Sequence, residues 1–266
     1  MGKDMRRLLS FPCEGARLGA SLDEGVGPTG ILMVTGGSQT RVGSHRMYER
    51  LADALAGAGY SSFRFDRRGV GDSEGEDPGF RGSAPDVAAA AAAFRSEIQV
   101  SRVIGFGLCD GATSLAFAAG AAGLDGMILV NPWFVEAESG APAPAAVRAH
   151  YKQRLLSVEG WKKLLTGSIS WRKLLGGLMK STDTSASPLA AEAAAALRAS
   201  GVRAELILAS GDATAVAAAN EVKSRLFKGI VGKAQMLPSD SHTFAREGDA
   251  DLLTAATLTA IKRLGG

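Results

Sequence analysis

The sequence predicts an α/β fold with a mainly parallel central sheet, helices on both faces and a helical cap insertion. Three observations carry this reading. Apolar runs such as GILMVT at 30–35 and GMILV at 126–130 are continuous rather than alternating, as strands buried on both faces require. These runs alternate with alanine- and leucine-rich stretches of helical period, the rhythm of βαβ units. The rhythm stops at Asn131 and resumes after Pro188.

In chain order, two short strands at 6–11 and 16–22 flank a turn at Glu14-Gly15, and DEGVGPTG has loop composition. A buried strand at 30–35 leads through a glycine-rich loop to a helix at 44–57, with Met47, Leu51, Ala54 and Leu55 on one face. A strand at 60–65, a helix at 85–98, a strand at 101–106, a helix at 112–122 and a strand at 126–130 follow. Beyond the break come a helix at 188–199, a strand at 203–209, a helix at 213–227, a strand at 233–237 and a last helix. The division is therefore a core domain of residues 1–132 and 188–266, with a cap at 133–187. Ligands of open α/β sheets bind at the carboxyl edge, so an insertion there is a candidate lid.

The 266 residues include 46% hydrophobic and 21% charged side chains, ordinary for a globular chain with a sizeable core. A formal charge of +3 is too mild to imply a nucleic-acid partner. No apolar run reaches the ~18 residues that span a bilayer, and the opening MGKDMRRLLSFPCEG has too short an apolar stretch for a secretory signal. Two cysteines, Cys13 and Cys109, build no disulfide framework. The expected location is the cytoplasm.

Chemistry concentrates at Gly107-Leu108-Cys109-Asp110-Gly111, between the strand RVIGF and an alanine-rich helix. This is G-x-C-x-G in a strand–turn–helix setting, the nucleophile elbow of α/β-hydrolases. The turn lifts the nucleophile above the sheet, and its crowding admits only glycine two positions to either side. A helix N-terminus beside the sulfur favours the reactive thiolate. Cys13 sits beside a turn with no partner motif and reads as structural.

A cysteine nucleophile needs a base, and the three histidines are His45, His150 and His242. His242 follows the last expected strand, in LPSDSHTF, where this fold carries its catalytic histidine. His45 opens a helix near the glycine-rich loop, within reach of a substrate, and His150 belongs to the insertion. Asp212, at the carboxyl end of LILASGD, is the expected acid, set to fix the tautomer of the histidine and stabilise imidazolium. Asp240 competes, but a side chain two residues from His242 usually makes a local turn contact. The oxyanion needs two backbone donors. Asp110 supplies one, and the loop Thr35-Gly36-Gly37-Ser38-Gln39 supplies the other, with Gly37 preferred and Ser38 next.

In FDRRGVGDSEG, Asp66 and the arginines suit a turn that pins neighbouring loops, and Arg67 or Arg68 is a weaker candidate for an anionic substrate group. Between Arg148 and Lys180 stand eight Lys/Arg against one Glu, with Trp161 and Trp171 among them. Such a surface covers an active site, or rests on anionic membrane. No cofactor or metal is called for, because no dense His/Cys/Asp cluster exists.

The runs GGSQTRVGSHRMYERLADALAGAGY, FRFDRRGVGDSEGEDPGFRGSAPD, GFGLCDGAT and ILVNPW resemble the exosortase A system-associated hydrolase family, type 1 group, strongly from residue 30 to 135 and more loosely beyond. That resemblance implies a cytoplasmic α/β-hydrolase encoded with exopolysaccharide and protein-sorting machinery. A cysteine at the elbow is also similar to dienelactone hydrolases and polyester synthases, and departs from the usual serine. The expected reaction is cleavage of an ester or thioester through a thioester on Cys109. Its substrate would be a small molecule or an acyl group on a lipid or saccharide. Acyl transfer and a non-catalytic scaffold bound to membrane or protein are the alternatives.

Overall fold

The computed structural model describes residues 6–136 and 186–266. All but the two ends of the expected cap, with His150 and the basic stretch with its tryptophans, lies outside the described residues.

Eight strands form one sheet: β1 (Arg6–Cys13), β2 (Ala16–Asp23), β3 (Thr29–Val34), β4 (Ser61–Phe65), β5 (Arg102–Leu108), β6 (Gly126–Val130), β7 (Ala204–Ala209) and β8 (Gln235–Leu237). Their spatial order is β1-β2-β4-β3-β5-β6-β7-β8. The hairpin β1–β2 is antiparallel and joins β4 antiparallel, and every pairing from β4 to β8 is parallel. The helices are α1 (Met47–Gly57), a single turn α2 (Gly79–Gly82), α3 (Ala84–Glu97), α4 (Asp110–Ala118), α5 (Pro188–Ser200), α6 (Ala213–Glu221) and α7 (Asp249–Arg263).

Strand alternation sorts the core into two layers. Ile31, Met33, Ile104, Phe106, Ile128 and Ile207 pack under α1 and α7, through Leu51, Leu55, Leu253 and Ile261. Leu32, Val34, Val103, Leu129, Leu206 and Leu208 face the other way, under α3, α4, α5 and α6. Because successive side chains point to opposite faces, a strand covered on both sides must be apolar throughout, which explains the unbroken runs. All six residues of β3 and of β7 are buried.

Several elements differ from the sequence reading. The helix expected from residue 44 begins at Met47, because His45 and Arg46 adopt left-handed backbone (φ 52° and 61°) in a short 3₁₀ turn. Of the four positions expected on one apolar face of α1, Ala54 is exposed, while Tyr48 and Ala52 are buried with Met47, Leu51 and Leu55. The helix expected at 112–122 starts earlier, at Asp110, directly after the elbow, and ends at Ala118. The stretch 213–227 splits into α6 and a 3₁₀ turn at Arg225–Phe227, which sets Phe227 against Phe134 at 5.2 Å between ring centroids. Continuous alanine periodicity masks that break.

Candidate active site

Cys109 lies between the end of β5 and the start of α4, with φ 60° and ψ −127°, a conformation that L side chains rarely adopt. The surroundings hold it there. Its N–H donates to the Val130 carbonyl at 3.0 Å, and its own carbonyl accepts from the N–H groups of Ala112 and Trp133, both at 3.1 Å. The two glycines of the motif are needed for close approach. A Cβ on Gly107 would stand 2.7 Å from the Gly111 backbone, and one on Gly111 would stand 2.5 Å from the Val34 carbonyl. The elbow is a junction of three chain segments packed at van der Waals limits, with Cys109 half-buried above it.

Tyr48 fixes the layer beneath. Its fully buried hydroxyl donates to the Val34 carbonyl at 2.9 Å and accepts from the Leu108 N–H at 3.1 Å, tying the carboxyl ends of β3 and β5 together. Burial pushes this phenol far above its ordinary range. The sequence reading missed Tyr48, although an aromatic with a hydroxyl at the inner face of α1 is a usable signal.

The structure brings Cys109, His242 and Asp212 together from three separate loops. Asp212 follows β7 and caps α6, its Oδ2 accepting from the Ala215 N–H at 2.9 Å. The same oxygen lies 3.0 Å from His242 Nδ1. Cys109 stands beside the same imidazole and helps it to hold its proton, and with Nδ1 turned to Asp212 the other ring nitrogen is the one left for the sulfur. The Asp212 contact first, then that to Cys109, raise the imidazole to about 10 against the opposing effect of burial. Asp240 turns away: its carboxylate pairs with Arg246 at 2.6 Å.

The loop that carries His242 is anchored from both sides. Ser239 Oγ donates to buried Asp249 at 2.8 Å and accepts from the Ser241 N–H at 3.1 Å. On the other side stands Asn131, fully buried just past β6 with φ 41°. Its Nδ2 donates to the His242 carbonyl at 2.9 Å, and its Oδ1 accepts from the Ala209 N–H at 2.8 Å. Asn131 was not singled out from the sequence. The signal lay in a polar residue directly ending the buried run GMILV.

The expected oxyanion donors are placed as follows. The Asp110 N–H opens α4, where helix geometry leaves it without an intrahelical acceptor. The Gly37 N–H donates to both oxygens of the Asp110 carboxylate, at 2.7 and 2.9 Å, and so is occupied in this arrangement. The carbonyl of Gly37 accepts from the guanidinium of buried Arg67. Asp66, fully buried, holds the neighbouring loops by accepting from Arg41, backbone and guanidinium, and from the Asp72 N–H. Arg41 was another residue the sequence reading passed over. Arg68 points elsewhere, to Asp86 at 2.6 Å and to Glu14. His45 is exposed in its 3₁₀ turn. Cys13 is buried, its thiol donating to Asp86 at 3.4 Å, and burial pushes it up to about 11. Among the described residues no cluster of three or more His, Cys, Asp or Glu is arranged to hold a metal ion. No helix among them is long and apolar enough to cross a membrane.

An eight-stranded sheet in this order, with a strained elbow after β5, an acid after β7 and a histidine after β8, defines an α/β-hydrolase. Within that class, residues 30–226 match the family of serine aminopeptidase, S33, and the chain belongs to it. It is therefore a hydrolase by family, with Cys109 at the elbow. Three solved structures illustrate the shared fold. An esterase from Pyrococcus furiosus superposes with a TM-score of 0.65 at 12% identity, covering 97% of this chain and 92% of its own. A serine hydrolase without lid from Xanthomonas campestris gives 0.63 at 17% identity, covering 99% and 96%. A dienelactone hydrolase from Anabaena variabilis gives 0.66 at 15% identity, covering 98% and 99%. No protein of curated function matches the chain in sequence.

Proposed function

We propose that the protein is an esterase or thioesterase that works through a thioester on Cys109. The observation that carries this reading is the 3.0 Å contact from Asp212 Oδ2 to His242 Nδ1, with Cys109 beside the same ring at the elbow. Sulfur attacks the acyl carbon, a C–S bond forms, and the carbonyl π electrons move onto oxygen. Collapse of that oxyanion breaks the bond to the leaving alcohol or thiol, which takes its proton from His242. Water, giving its proton to His242, then attacks the thioester; the C–S bond breaks and the acid leaves. A histidine raised to about 10 carries a proton at neutral pH, which suits it to protonate the leaving group. Asp212 keeps the ring oriented throughout.

The likeness in fold to esterases and to a dienelactone hydrolase supports acyl chemistry. The resemblance of several sequence runs to exosortase-associated hydrolases supports an acyl group on a saccharide or lipid carrier, in the cytoplasm, as the natural substrate. The test is turnover of p-nitrophenyl acetate and of a short acyl thioester by the wild-type chain, Cys109→Ala and His242→Ala. Hydrolysis lost in both variants supports the reading. Undiminished hydrolysis in Cys109→Ala removes it.

A further inference from the structure

We propose that the end of the molecule where β7 and β8 begin is a basic surface that docks on an anionic lipid bilayer, with Leu226 entering the headgroup layer. This goes beyond the acyl-hydrolase reading and does not depend on it.

The topology gathers cations at that end. Because β6, β7 and β8 are parallel, the residues that precede them lie at one end of the sheet, and the catalytic loops that follow them lie at the other. Arg203 precedes β7, and Lys233 precedes β8. Arg198 stands in the last turn of α5, which leads into β7, and Lys262 and Arg263 stand in the last turn of α7. Contacts tie these pieces into one surface. Arg198 Nη2 donates to the Leu226 carbonyl at 2.9 Å, and the Ala204 N–H donates to the Ile230 carbonyl at 3.3 Å. Arg263 reaches Glu205, near the start of β7, at 3.3 Å. Lys233 and Arg263 also share with Gln235 the wall of a cavity of about 360 Å³. Arg225 and Lys228 flank Leu226 in and after the 3₁₀ turn.

These charges are left without counterparts. Arg198, Arg203, Arg225, Lys228, Lys233 and Lys262 are all exposed, and none pairs with a carboxylate among the described residues. Toward the opposite edge of the sheet, Arg6, Arg7, Arg41, Arg64 and Arg68 each have a carboxylate partner. The acids nearest the basic surface are engaged. Glu205 is buried against Arg263, and Glu221 accepts from the Ser187 N–H at 3.0 Å. Asp125, exposed ahead of β6, accepts from the Val103 N–H at 2.8 Å. The chain as a whole carries only +3, so the cations are segregated rather than simply abundant. Like charges gathered in this way repel one another in the free protein, and an anionic surface relieves that repulsion.

Leu226 selects a bilayer over a soluble polyanion. It is 41% exposed between two cationic neighbours, while Phe227 beside it turns into the core. An apolar side chain ringed by Lys and Arg fits the boundary between headgroups and acyl chains, where the charges meet phosphate and the leucine leaves water. Docking by this end keeps the catalytic loops, at the carboxyl ends of the same strands, clear of the lipid. The basic stretch between Arg148 and Lys180 is a separate candidate for the same partner, and substitutions confined to 225–233 tell the two apart.

The experiment is co-sedimentation of the full chain with vesicles of equimolar phosphatidylglycerol and phosphatidylcholine, against vesicles of phosphatidylcholine alone. Binding should be about tenfold or more tighter to the anionic vesicles and should weaken as salt is raised. The triple variant Arg225→Glu, Lys228→Glu, Lys233→Glu should lose about tenfold or more of that affinity. Leu226→Ser, which keeps every charge, should lose about two- to fivefold. Should the triple variant fail to fold, Lys228→Gln and Lys233→Gln taken singly decide, each expected to lower affinity about two- to fivefold. Undiminished binding in the folded triple variant, or in both single variants, overturns the proposal and assigns the binding to another part of the chain. Failure of the wild-type chain to bind anionic vesicles at low salt overturns it as well. So does Leu226→Ser binding as tightly as the wild type while both bind heparin equally well, which would make a soluble polyanion the partner. Turnover of p-nitrophenyl acetate should be the same in the triple variant and the wild type, so failure here leaves the acyl-hydrolase reading standing.

Discussion

Asn131 holds His242 by its main chain: the amide Nδ2 donates to the His242 carbonyl at 2.9 Å while Oδ1 accepts from the Ala209 N–H at 2.8 Å. One buried side chain thus links the ends of β6 and β7 to the loop after β8, and holds His242 through its main chain rather than its ring. Asn131→Ala leaves two buried polar groups unpaired and keeps a left-handed backbone under a Cβ. A stability loss of about 2–4 kcal/mol is expected, measured by urea unfolding. In the folded fraction kcat should fall while KM changes little. Asn131→Gly, which removes the backbone strain, should regain stability without regaining kcat.

The His242–Asp212 contact makes stability depend on pH in a defined direction. The folded-state imidazole is raised from 6.5 to about 10, so the charged form is what the fold favours. Its contribution is complete below about pH 6.5, declines as pH rises, and is gone above about pH 10. The stability gap between the wild-type chain and His242→Gln, from urea unfolding at several pH values, should narrow steadily across that window. A gap that widens with pH contradicts the assignment. In the same variant Cys109 should alkylate more slowly at pH 7.

Only one of the two thiols should react in the native protein. Cys109 is half-buried beside His242, whereas Cys13 is buried, donates to Asp86 and is pushed up to about 11. Titration with a disulfide reagent at pH 7 should count one fast thiol, absent in Cys109→Ala, and a second only on unfolding.

The elbow leaves no room for a methyl group at Gly107. Gly107→Ala sets a Cβ 2.7 Å from the backbone of Gly111, and neither segment is a flexible side chain that can swing away. A loss of about 2–4 kcal/mol is expected, from overpacking in a rigid junction. Tyr48→Phe should cost about 1–3 kcal/mol by leaving the Val34 carbonyl and the Leu108 N–H unpaired. Thermal unfolding of each variant checks both values.

The frame of the molecule was legible because burial on both faces writes itself as unbroken apolar runs, and GILMVT and GMILV mark β3 and β6 within a residue or so. The placing of Cys109, Asp212 and His242 just past strand ends was legible because each follows a strand-forming stretch. Less local features were not. The 3₁₀ start before α1 depends on left-handed backbone at two adjacent non-glycine residues, His45 and Arg46, an uncommon pairing that no pattern announces. Ala54 and Ala52 are interchangeable in composition, and only the seat of α1 on the sheet tells them apart. Asn131 and Arg67 act on loops 111 and 30 residues distant, through backbone atoms that every residue possesses. No spacing rule in a single sequence encodes such a contact. The Gly37 N–H could be placed in the loop after β3 but not aimed, since Asp110 takes it from across the elbow.

The central claim is that acyl groups pass through the sulfur of Cys109, and the most direct measurement is mass spectrometry of the protein quenched in acid within seconds of mixing with p-nitrophenyl acetate. The account predicts one added acetyl group on the peptide that carries Cys109, accumulating further in His242→Ala if deacylation slows more than acylation, and absent in Cys109→Ala. An unmodified Cys109 during turnover, with hydrolysis surviving in Cys109→Ala, would contradict it.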